Sequence, residues 1–455
     1  MVRVQNAEAS DVAAAAVWAK VLAIAVAGEV LVAAEVALYL CFRLSRPFYL
    51  ATAAVLAVTV LTVLLLLLQC TAGQAERMAA RRALDDGEVL RLEYSFFRKV
   101  AGLPCKFSFE ALAAATDDFQ CVAGRGSSGT VFRGILDDGT QVAVKRIDRG
   151  AGAEHADREF KAEVSAIAGA QHVNLARLIG FCLGSPRFLV YEYMEHGSLD
   201  GWIFPCADDR HQRRCLPWAR RYQVAVDVAK ALAYLHHDCR AKVLHLDVKP
   251  ENILLDDGFR GILSDFGLAK QAEKEQSRVL TTVRGTVGYL APEWLLDAGI
   301  TEKSDVYSYG MVLLEMVAGR RCLRKEEDGG WSYLPKIAVE MAREGRVMEV
   351  VDERLVTGCV DQAEEAAVRR AVHVALWCAQ EKAGARPSMA RVVDMLEGRG
   401  VGEVEAPPPS VTIMVDLLEL DGNDTRGGGR QSGSAALSSM LTKDDSFALS
   451  YLSGR

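Results

Sequence analysis

The sequence predicts an α+β protein in which a strand-rich lobe is followed by a helical lobe, with one or two transmembrane helices ahead of both. Three observations predict this class. A long uncharged run lies near the N-terminus. The first part of the region after it alternates β-branched residues with turn signals, which is typical of strands. The later part has helical periodicity: Val224, Val228, Leu232 and Leu235 form an apolar stripe on one predicted helix.

The strongest membrane signal is the run FYLATAAVLAVTVLTVLLLLLQC, Phe48 to Cys70, which is uncharged and long enough to cross about 30 Å of hydrocarbon as a helix. The earlier apolar stretch, Val12 to Phe42, carries Lys20, Glu29 and Glu35. It is therefore open whether that stretch is a poor span, an uncleaved signal anchor or a removed signal sequence. In each case only a short extracellular turn is expected ahead of the strong span.

Arginines on both sides of the strong span bear on its orientation. Arg77, Arg81 and Arg82 follow it closely, whereas Arg43 and Arg46 precede it. Short flanking segments rich in Lys and Arg tend to stay in the cytosol. One span after a cleaved signal, or two spans, both leave the C-terminal bulk of the chain inside. We therefore expect the large domain to face the cytosol.

Composition divides the chain into five segments and excludes several functions. We expect an anchor or signal over 1–47, a transmembrane helix over 48–70, a juxtamembrane segment over 71–117, a globular domain over 118–397 and a disordered Pro-, Gly- and Ser-rich tail over 398–455. The net charge is -7 without a long basic run, which gives no support to nucleic-acid binding. The 11 cysteines form no CxxC motif, so neither a disulfide framework nor a zinc site is indicated. A transporter or channel is disfavoured, because two apolar segments at most cannot build a translocation path.

A glycine-rich motif opens the globular part. GRGSSGTV, Gly124 to Val131, lets the backbone approach phosphates closely because its glycines carry no Cβ. A dinucleotide-binding turn would lead into a helix, but here two β-branched stretches flank an Asp-Gly turn. The pattern predicts a strand-turn-strand lid over phosphates. Lys145 ends the second strand, where Glu163 or, one helical turn earlier, Glu159 is its candidate partner.

These motifs, taken in order, resemble those of the eukaryotic protein kinases, and within them the plant receptor-like serine/threonine kinases. The resemblance covers about residues 107–397 and rests on GRGSSGTV, VAVK, Glu163, HLDVKPEN, the DFG at 265–267 and the APE at 291–293. The plant subgroup rests on FSFEALAAATDDF, FLVYEYMEHGSLD and VALWCAQEKAGARPSM.

The resemblance implies a role for each matching residue. Asp247 would orient and deprotonate the substrate hydroxyl, Lys249 would meet the transferring phosphate, and Asn252 and Asp265 would hold Mg²⁺ or Mn²⁺ against ATP. Lys145 and Glu163 would form the ion pair over the phosphates. The expected ATP-binding residues are Gly124, Arg125, Gly126, Ser127, Ser128, Gly129, Val131, Ala143, Lys145, Glu192 and Met194. Tyr191 would be the gatekeeper, and Gly285 to Glu293 the substrate-binding stretch.

The resemblance also implies structural roles, a location and an alternative function. Glu293 and Arg386 would form a buried ion pair, Asp305 would brace the catalytic loop, and Trp294, Trp377 and His172 would be structural. The expected location is the plasma membrane, with protein substrates and a co-receptor or partner kinase. A pseudokinase scaffold is the alternative, although such proteins usually lose the Lys, Asp or metal ligands that this chain keeps.

One residue departs from the usual kinase pattern. Leu246 stands between His245 and Asp247, where most kinases of the family have an arginine that pairs with a phosphorylated activation-loop residue. Leucine has neither charge nor donor. We therefore expect phosphate on Ser277, Thr281 or Thr282 to lack its usual partner there, although Arg278 or Arg284 could offer a weaker one.

Overall fold

The computed structural model describes residues 103–408 apart from 127–128, 148–152, 206–214, 273–284, 296–298, 327–329, 356–361, 401 and 403, together with isolated positions between 32 and 64. The chain forms two units, Met1–Phe96 and Phe97–Arg455. The described positions of the first unit are helical. Most of the two predicted apolar segments lies outside the described residues. Within the described part, none of the helices has both the length and the apolar character needed to cross a bilayer.

The first lobe of the second unit is built on a six-stranded sheet with the order β1-β5-β6-β4-β3-β2. Its strands are β1 (Cys105–Lys106), β2 (Val122–Gly126), β3 (Gly129–Ile135), β4 (Gln141–Ile147), β5 (Leu178–Cys182) and β6 (Arg187–Glu192). Two helices accompany it, α1 (Phe109–Ala115) and α2 (Ala153–Ile167). Apart from the parallel pair β1-β5, all neighbours in the sheet are antiparallel. The predicted strand-rich lobe is confirmed.

The second lobe is mainly helical. Its α-helices are α3 (Asp200–Ile203), α4 (Trp218–Ala233), α5 (Pro292–Leu295), α6 (Glu302–Ala318), α7 (Leu334–Arg343), α8 (Gln362–Cys378) and α9 (Met389–Glu397). A π-helix, Tyr234–Asp238, continues α4, and 3-10 helices span Pro250–Asn252, Val347–Val350, Glu353–Leu355 and Ala383–Ala385. Short antiparallel pairs join β8 (Ile253–Leu255) to β9 (Gly261–Leu263), β10 (Lys270–Ala272) to β7 (Lys242–Leu244), and β11 (Leu323–Lys325) to β12 (Trp331–Tyr333).

Helix α6 is the buried central helix of this lobe, since every residue from Ser304 to Ala318 is buried. Thr301 caps the N-terminus of α6, where its hydroxyl accepts a hydrogen bond from Lys303 N. Gly319, in the left-handed conformation, ends the helix. Gly310 lets α8 approach, since a Cβ there would lie 2.7 Å from Cys378 Cβ. The stripe predicted on α4 is buried in the same core.

The folded unit starts before residue 118, within the segment that we predicted to be juxtamembrane. β1 adds to the sheet beside β5, and Leu112 of α1 is fully buried. Gly180 permits this contact, because a Cβ there would lie 2.3 Å from Cys105 O. Strand hydrogen bonds and apolar burial therefore hold residues 105–116 against the first lobe.

The fold also continues past residue 397, where we predicted the tail to begin. Val404 is buried, and three side chains at successive turns on and just after α8 bind the backbone that follows it. His373 Nδ1 lies 2.6 Å from Val404 O, Trp377 Nε1 donates to Glu405 O, and Gln380 Nε2 donates to Pro408 O. Residues 404–408 are therefore held against α8 through their backbone, with Val404 and Pro407 buried.

Candidate active site

Three charged side chains meet between the lobes. Lys145, at the buried end of β4, lies 3.0 Å from Glu163 Oε2 and 2.8 Å from Asp265 Oδ1. Glu163 reaches it from α2 and is fully buried. The structure therefore pairs Lys145 with Glu163 rather than with Glu159. Glu159 lies against the Asp-Phe-Gly motif, since a Cβ added at Gly267 would be 3.0 Å from its Cγ.

The charges in this group stabilise one another. Burial alone would lower the pKa of Lys145, but the carboxylates of Asp265 and Glu163 outweigh it and raise that pKa. Burial would raise the pKa of Asp265, whereas the Lys145 ammonium holds it at about 2. Burial raises the pKa of Glu163 above its usual value. Lys145 therefore stays protonated and Asp265 ionised throughout the physiological pH range.

Tyr191, at the end of β6, is tied to the same group. Its hydroxyl donates to Glu163 Oε1, and 9% of the residue is exposed. Burial, followed by the Glu163 carboxylate, raises the pKa of the Tyr191 hydroxyl well above its usual value. The hydroxyl therefore remains a donor, and it fixes the orientation of Glu163.

A second group surrounds Asp247. Lys249 Nζ lies 2.8 Å from Asp247 Oδ2 and donates to Thr286 Oγ1 at 2.9 Å. Thr286 Oγ1 donates to Asp247 Oδ1, also at 2.9 Å. Burial would lower the pKa of Lys249, but Asp247 outweighs this effect and raises it. A carboxylate, an ammonium and a hydroxyl from two separate segments therefore share one small space.

Asn252 connects the two groups. Its Nδ2 donates to Asp247 O at 2.8 Å and to Asp247 Oδ2 at 2.9 Å. Because the nitrogen makes both contacts, Oδ1 is the end of the amide that can face a cation. Ser264, next to Asp265 in the chain, donates from N and Oγ to Asn252 O. Amide and carboxylate oxygens suit a hard divalent cation such as Mg²⁺.

The loop that carries His245, Leu246 and Asp247, called the catalytic loop below, is held by hydrogen bonds to Asp305 of α6. His245 N donates to its Oδ2 at 2.9 Å and Leu246 N to its Oδ1 at 2.7 Å, while His236 Nε2 lies 2.8 Å from Oδ2. Burial would raise the pKa of Asp305, but the contact with His236 outweighs it and lowers the pKa. An ionised carboxylate at the lobe's centre therefore positions the loop.

Leu246 lies on this loop in a strained conformation. Its φ is 68°, in the left-handed region that branched residues rarely adopt, and the residue is 4% exposed. The side chain packs into the core of the second lobe. The side chain of Leu246 therefore contributes apolar packing beside Asp247 and adds no charge or hydrogen-bond donor there.

The predicted ATP-binding residues lie on the first lobe and its connection to the second. Gly126 pairs with Gly129 where β2 meets β3, and a Cβ at Gly124 or Gly126 would meet nothing within 4 Å. Arg125 is exposed on β2, Val131 and Ala143 are partly buried, and Ala143 pairs with Tyr191. Glu192 ends β6, and Met194 packs on the core two residues later. Ser127 and Ser128 lie outside the described residues, as do Ser277, Arg278, Thr281, Thr282 and Arg284.

The remaining predicted residues are structural. Arg386 Nη1 and Nη2 bind the two Glu293 carboxylate oxygens at 2.8 Å each. Trp294 is buried, and Trp377 is partly buried against the core. His172 Nδ1 accepts from Asn174 N, and its ring stacks on Tyr234.

Sequence reasoning missed one polar group beside the catalytic loop. Arg321 binds Glu251 Oε1 at 2.5 Å and the Tyr289 hydroxyl at 2.9 Å, and that hydroxyl donates to Glu315 Oε2 at 2.9 Å. These residues come from three distant stretches of the chain, so no local motif connects them. The sequence signal that could have indicated this group was the Gly-Arg-Arg at 319–321, two charged residues directly after the buried helix α6.

A two-lobed fold, a buried Lys-Glu pair between the lobes, and a carboxylate with a neighbouring lysine on the catalytic loop define a protein kinase. The family model for the protein kinase domain matches residues 119–395. The chain therefore belongs to the protein kinase domain family, and within it to the plant receptor-like serine/threonine kinases. The sequence-based identification of the family is confirmed.

Curated relatives support this subgroup. The chain is 50% identical over 413 residues to a probable receptor-like protein kinase of Arabidopsis thaliana, covering 88% of this chain and 89% of the relative. Two G-type lectin S-receptor-like serine/threonine-protein kinases of the same plant are 46% and 43% identical, covering 70% and 77% of this chain. This chain spans 38% and 39% of their lengths.

Proposed function

We propose that this serine/threonine kinase is anchored in the plasma membrane with its kinase domain in the cytosol, and transfers the γ-phosphate of ATP to protein hydroxyls within a receptor-like signalling complex. The contact of Asp247 with Lys249 and Thr286 is the observation that carries the catalytic part. The apolar run from Phe48 to Cys70 supports the anchor, and the receptor-like relatives support the complex.

Each residue at the site has a chemical role in this proposal. Asp247 orients the acceptor hydroxyl and takes its proton, while Lys249 offsets negative charge on the transferring phosphate. Asn252 and Asp265 would hold Mg²⁺, which would supply charge neutralisation for the phosphates of ATP. Lys145, positioned by Glu163, binds the phosphates. Ala143 and the Glu192–Met194 connection would contact adenine, and the β2–β3 hairpin would cover the phosphates.

One experiment tests both parts of the proposal. The full chain is expressed in plant cells, membranes are washed at alkaline pH, and solubilised protein is incubated with Mg²⁺, labelled ATP and a generic protein substrate. We expect the chain in the washed pellet and label on Ser and Thr, with Asp247→Asn at least about a hundredfold slower. Recovery of the protein in the alkaline wash would contradict the proposed membrane anchor. Equal labelling by Asp247→Asn would contradict its role, and no labelling by either protein would favour a pseudokinase scaffold.

The apolar Leu246 side chain leads to a prediction about regulation. We expect phosphatase treatment, or the variant Thr281→Ala/Thr282→Ala, to change kcat/KM of the kinase less than about fivefold, because loop phosphate finds no cation at position 246. Steady-state rates before and after phosphatase treatment provide the measurement. A hundredfold loss, the size expected when a charge-assisted contact of about 2 to 3 kcal/mol disappears, would show that another cation replaces the missing arginine.

A further inference from the structure

Arg321 lies where the catalytic loop and the substrate-binding stretch come together. Glu251, its ion-pair partner, is in the 3-10 helix Pro250–Asn252, directly after Lys249. Tyr289, its second partner, follows Thr286, whose hydroxyl contacts Asp247 and Lys249. The guanidinium therefore binds one group from each of the two segments that flank an acceptor hydroxyl.

The position of Arg321 is tightly specified. Its Cζ lies 4.0 Å from the centroid of the Phe204 ring, so one face of the guanidinium is covered by an aromatic side chain. The Tyr289 hydroxyl that it binds is in turn held by the buried Glu315. Aromatic, hydroxyl and carboxylate contacts together hold the guanidinium in a single place.

Both side chains of the pair are nevertheless partly exposed, 29% for Arg321 and 27% for Glu251, although Glu251 Oε2 is buried. A peptide bound with its hydroxyl at Asp247 would meet the negative charge of Glu251 on this surface if Arg321 were absent. With Arg321 present, this charge is already compensated from within the chain.

Glu315 adds little negative charge to this surface. Burial raises the pKa of its carboxyl to about 8, with the Arg321 guanidinium opposing that shift, so the group is mostly protonated at neutral pH. Burial likewise raises the pKa of Asp200, which interacts electrostatically with Glu251 and Arg321. Glu251 is the carboxylate that the Arg321 guanidinium contacts directly.

We propose that Arg321 is a specificity-determining residue: by occupying the acidic subsite at Glu251, it keeps the kinase from selecting protein substrates that carry an arginine near the phosphorylated hydroxyl. The proposal rests on the proposed kinase function and deepens it. It predicts a substrate class without a required basic residue at that subsite. Removing the guanidinium should convert the same surface into an arginine-binding one.

The test uses a set of Ser peptides in which a single Arg is moved through the four positions on either side of the acceptor, with an all-Ala parent. The variant Arg321→Met keeps an unbranched apolar stem against Phe204 but removes the charge. For the wild-type kinase, we expect no Arg position to raise kcat/KM over the parent by more than about twofold. For Arg321→Met, we expect one position to raise it about tenfold.

Two further variants connect the effect to Glu251. Glu251→Gln removes the carboxylate that the guanidinium contacts, so we expect it to disfavour the same Arg peptide and to favour a Glu at that position. The double variant Arg321→Met/Glu251→Gln should lose the gain seen in Arg321→Met. Because Glu251→Gln is predicted to act in the opposite direction, the proposal remains testable even if Arg321→Met does not fold.

The failure of this proposal is distinguishable from failure of the proposed function. A wild-type kinase that phosphorylates none of the peptides or proteins would argue against the function itself. An active wild type with Arg321→Met and Glu251→Gln peptide profiles equal to its own would overturn the role of Arg321. A gain in Arg321→Met that persists in the double variant would overturn the assignment of Glu251 as the acidic group.

Discussion

Replacing Asp265 by asparagine is expected to lower kcat/KM at least about a thousandfold while the kinase domain stays folded. Its carboxylate, with a pKa of about 2, is ionised at working pH and is the proposed anchor for Mg²⁺. Asparagine keeps the shape and removes the charge. Lys145→Met should lose a similar factor, because the cation proposed to hold the ATP phosphates disappears. Initial rates with saturating Mg²⁺ and labelled ATP measure both effects.

Folding of these two variants follows from the remaining contacts. In Asp265→Asn, Lys145 keeps its ion pair with Glu163 at 3.0 Å. In Lys145→Met, Glu163, whose pKa burial already raises, can take a proton and keep its contact with Tyr191. Asp137→Asn makes the same charge change at an exposed position and should retain wild-type rates. An active Lys145→Met protein with a normal melting curve would mean that a different lysine binds the phosphates.

Asp305→Ala is expected to have the largest effect on stability. It removes the acceptor for His245 N and Leu246 N and the partner of His236, all at the buried centre of the second lobe. Losing such a carboxylate costs about 3 to 5 kcal/mol, which approaches the whole stability of many domains. Urea unfolding followed by tryptophan fluorescence measures the change in midpoint. Asp305→Asn, which keeps one acceptor oxygen, should lose less.

A matched control separates this effect from the loss of any acidic side chain on a helix. Glu340 is exposed on α7, and Glu340→Ala should change the free energy of unfolding by no more than about 0.5 kcal/mol. If Asp305→Ala unfolds at the wild-type urea concentration, the carboxylate does not brace the loop. Loss of activity at unchanged stability would point instead to a purely local rearrangement at Leu246.

The sequence predicted those parts of the site whose residues lie close together along the chain, because their spacing forms a recognisable motif. Asp247, Lys249 and Asn252 lie close together in the sequence, and the strand that carries Lys145 has an alternating pattern that can be read directly. The sequence favoured Glu163 as the partner of Lys145 but left Glu159 as a competitor, because the two glutamates lie one turn apart on α2 and only the tertiary packing of that helix distinguishes them.

Other features depended on contacts between distant segments. The parallel pairing of β1 with β5 joins residues 75 positions apart, and nothing in the two-residue stretch Cys105–Lys106 marks it as a strand. The docking of Val404 on α8 likewise depends on donors that only the folded helix presents. Composition therefore gave no sign that β1, α1 and residues 404–408 pack against the domain predicted over 118–397.

The hydrogen bond from Tyr191 to Glu163 has a consequence for inhibitor chemistry. Tyr191 pairs with Ala143, a residue proposed to contact adenine, and its nearly buried side chain reaches Glu163. An ATP-competitive compound with a bulky group directed past this ring would have to break the hydrogen bond and displace the phenol. Flat compounds that remain in front of Tyr191 avoid that cost, and Tyr191→Gly would create a pocket in which enlarged compounds could discriminate this kinase from those that keep a large residue there.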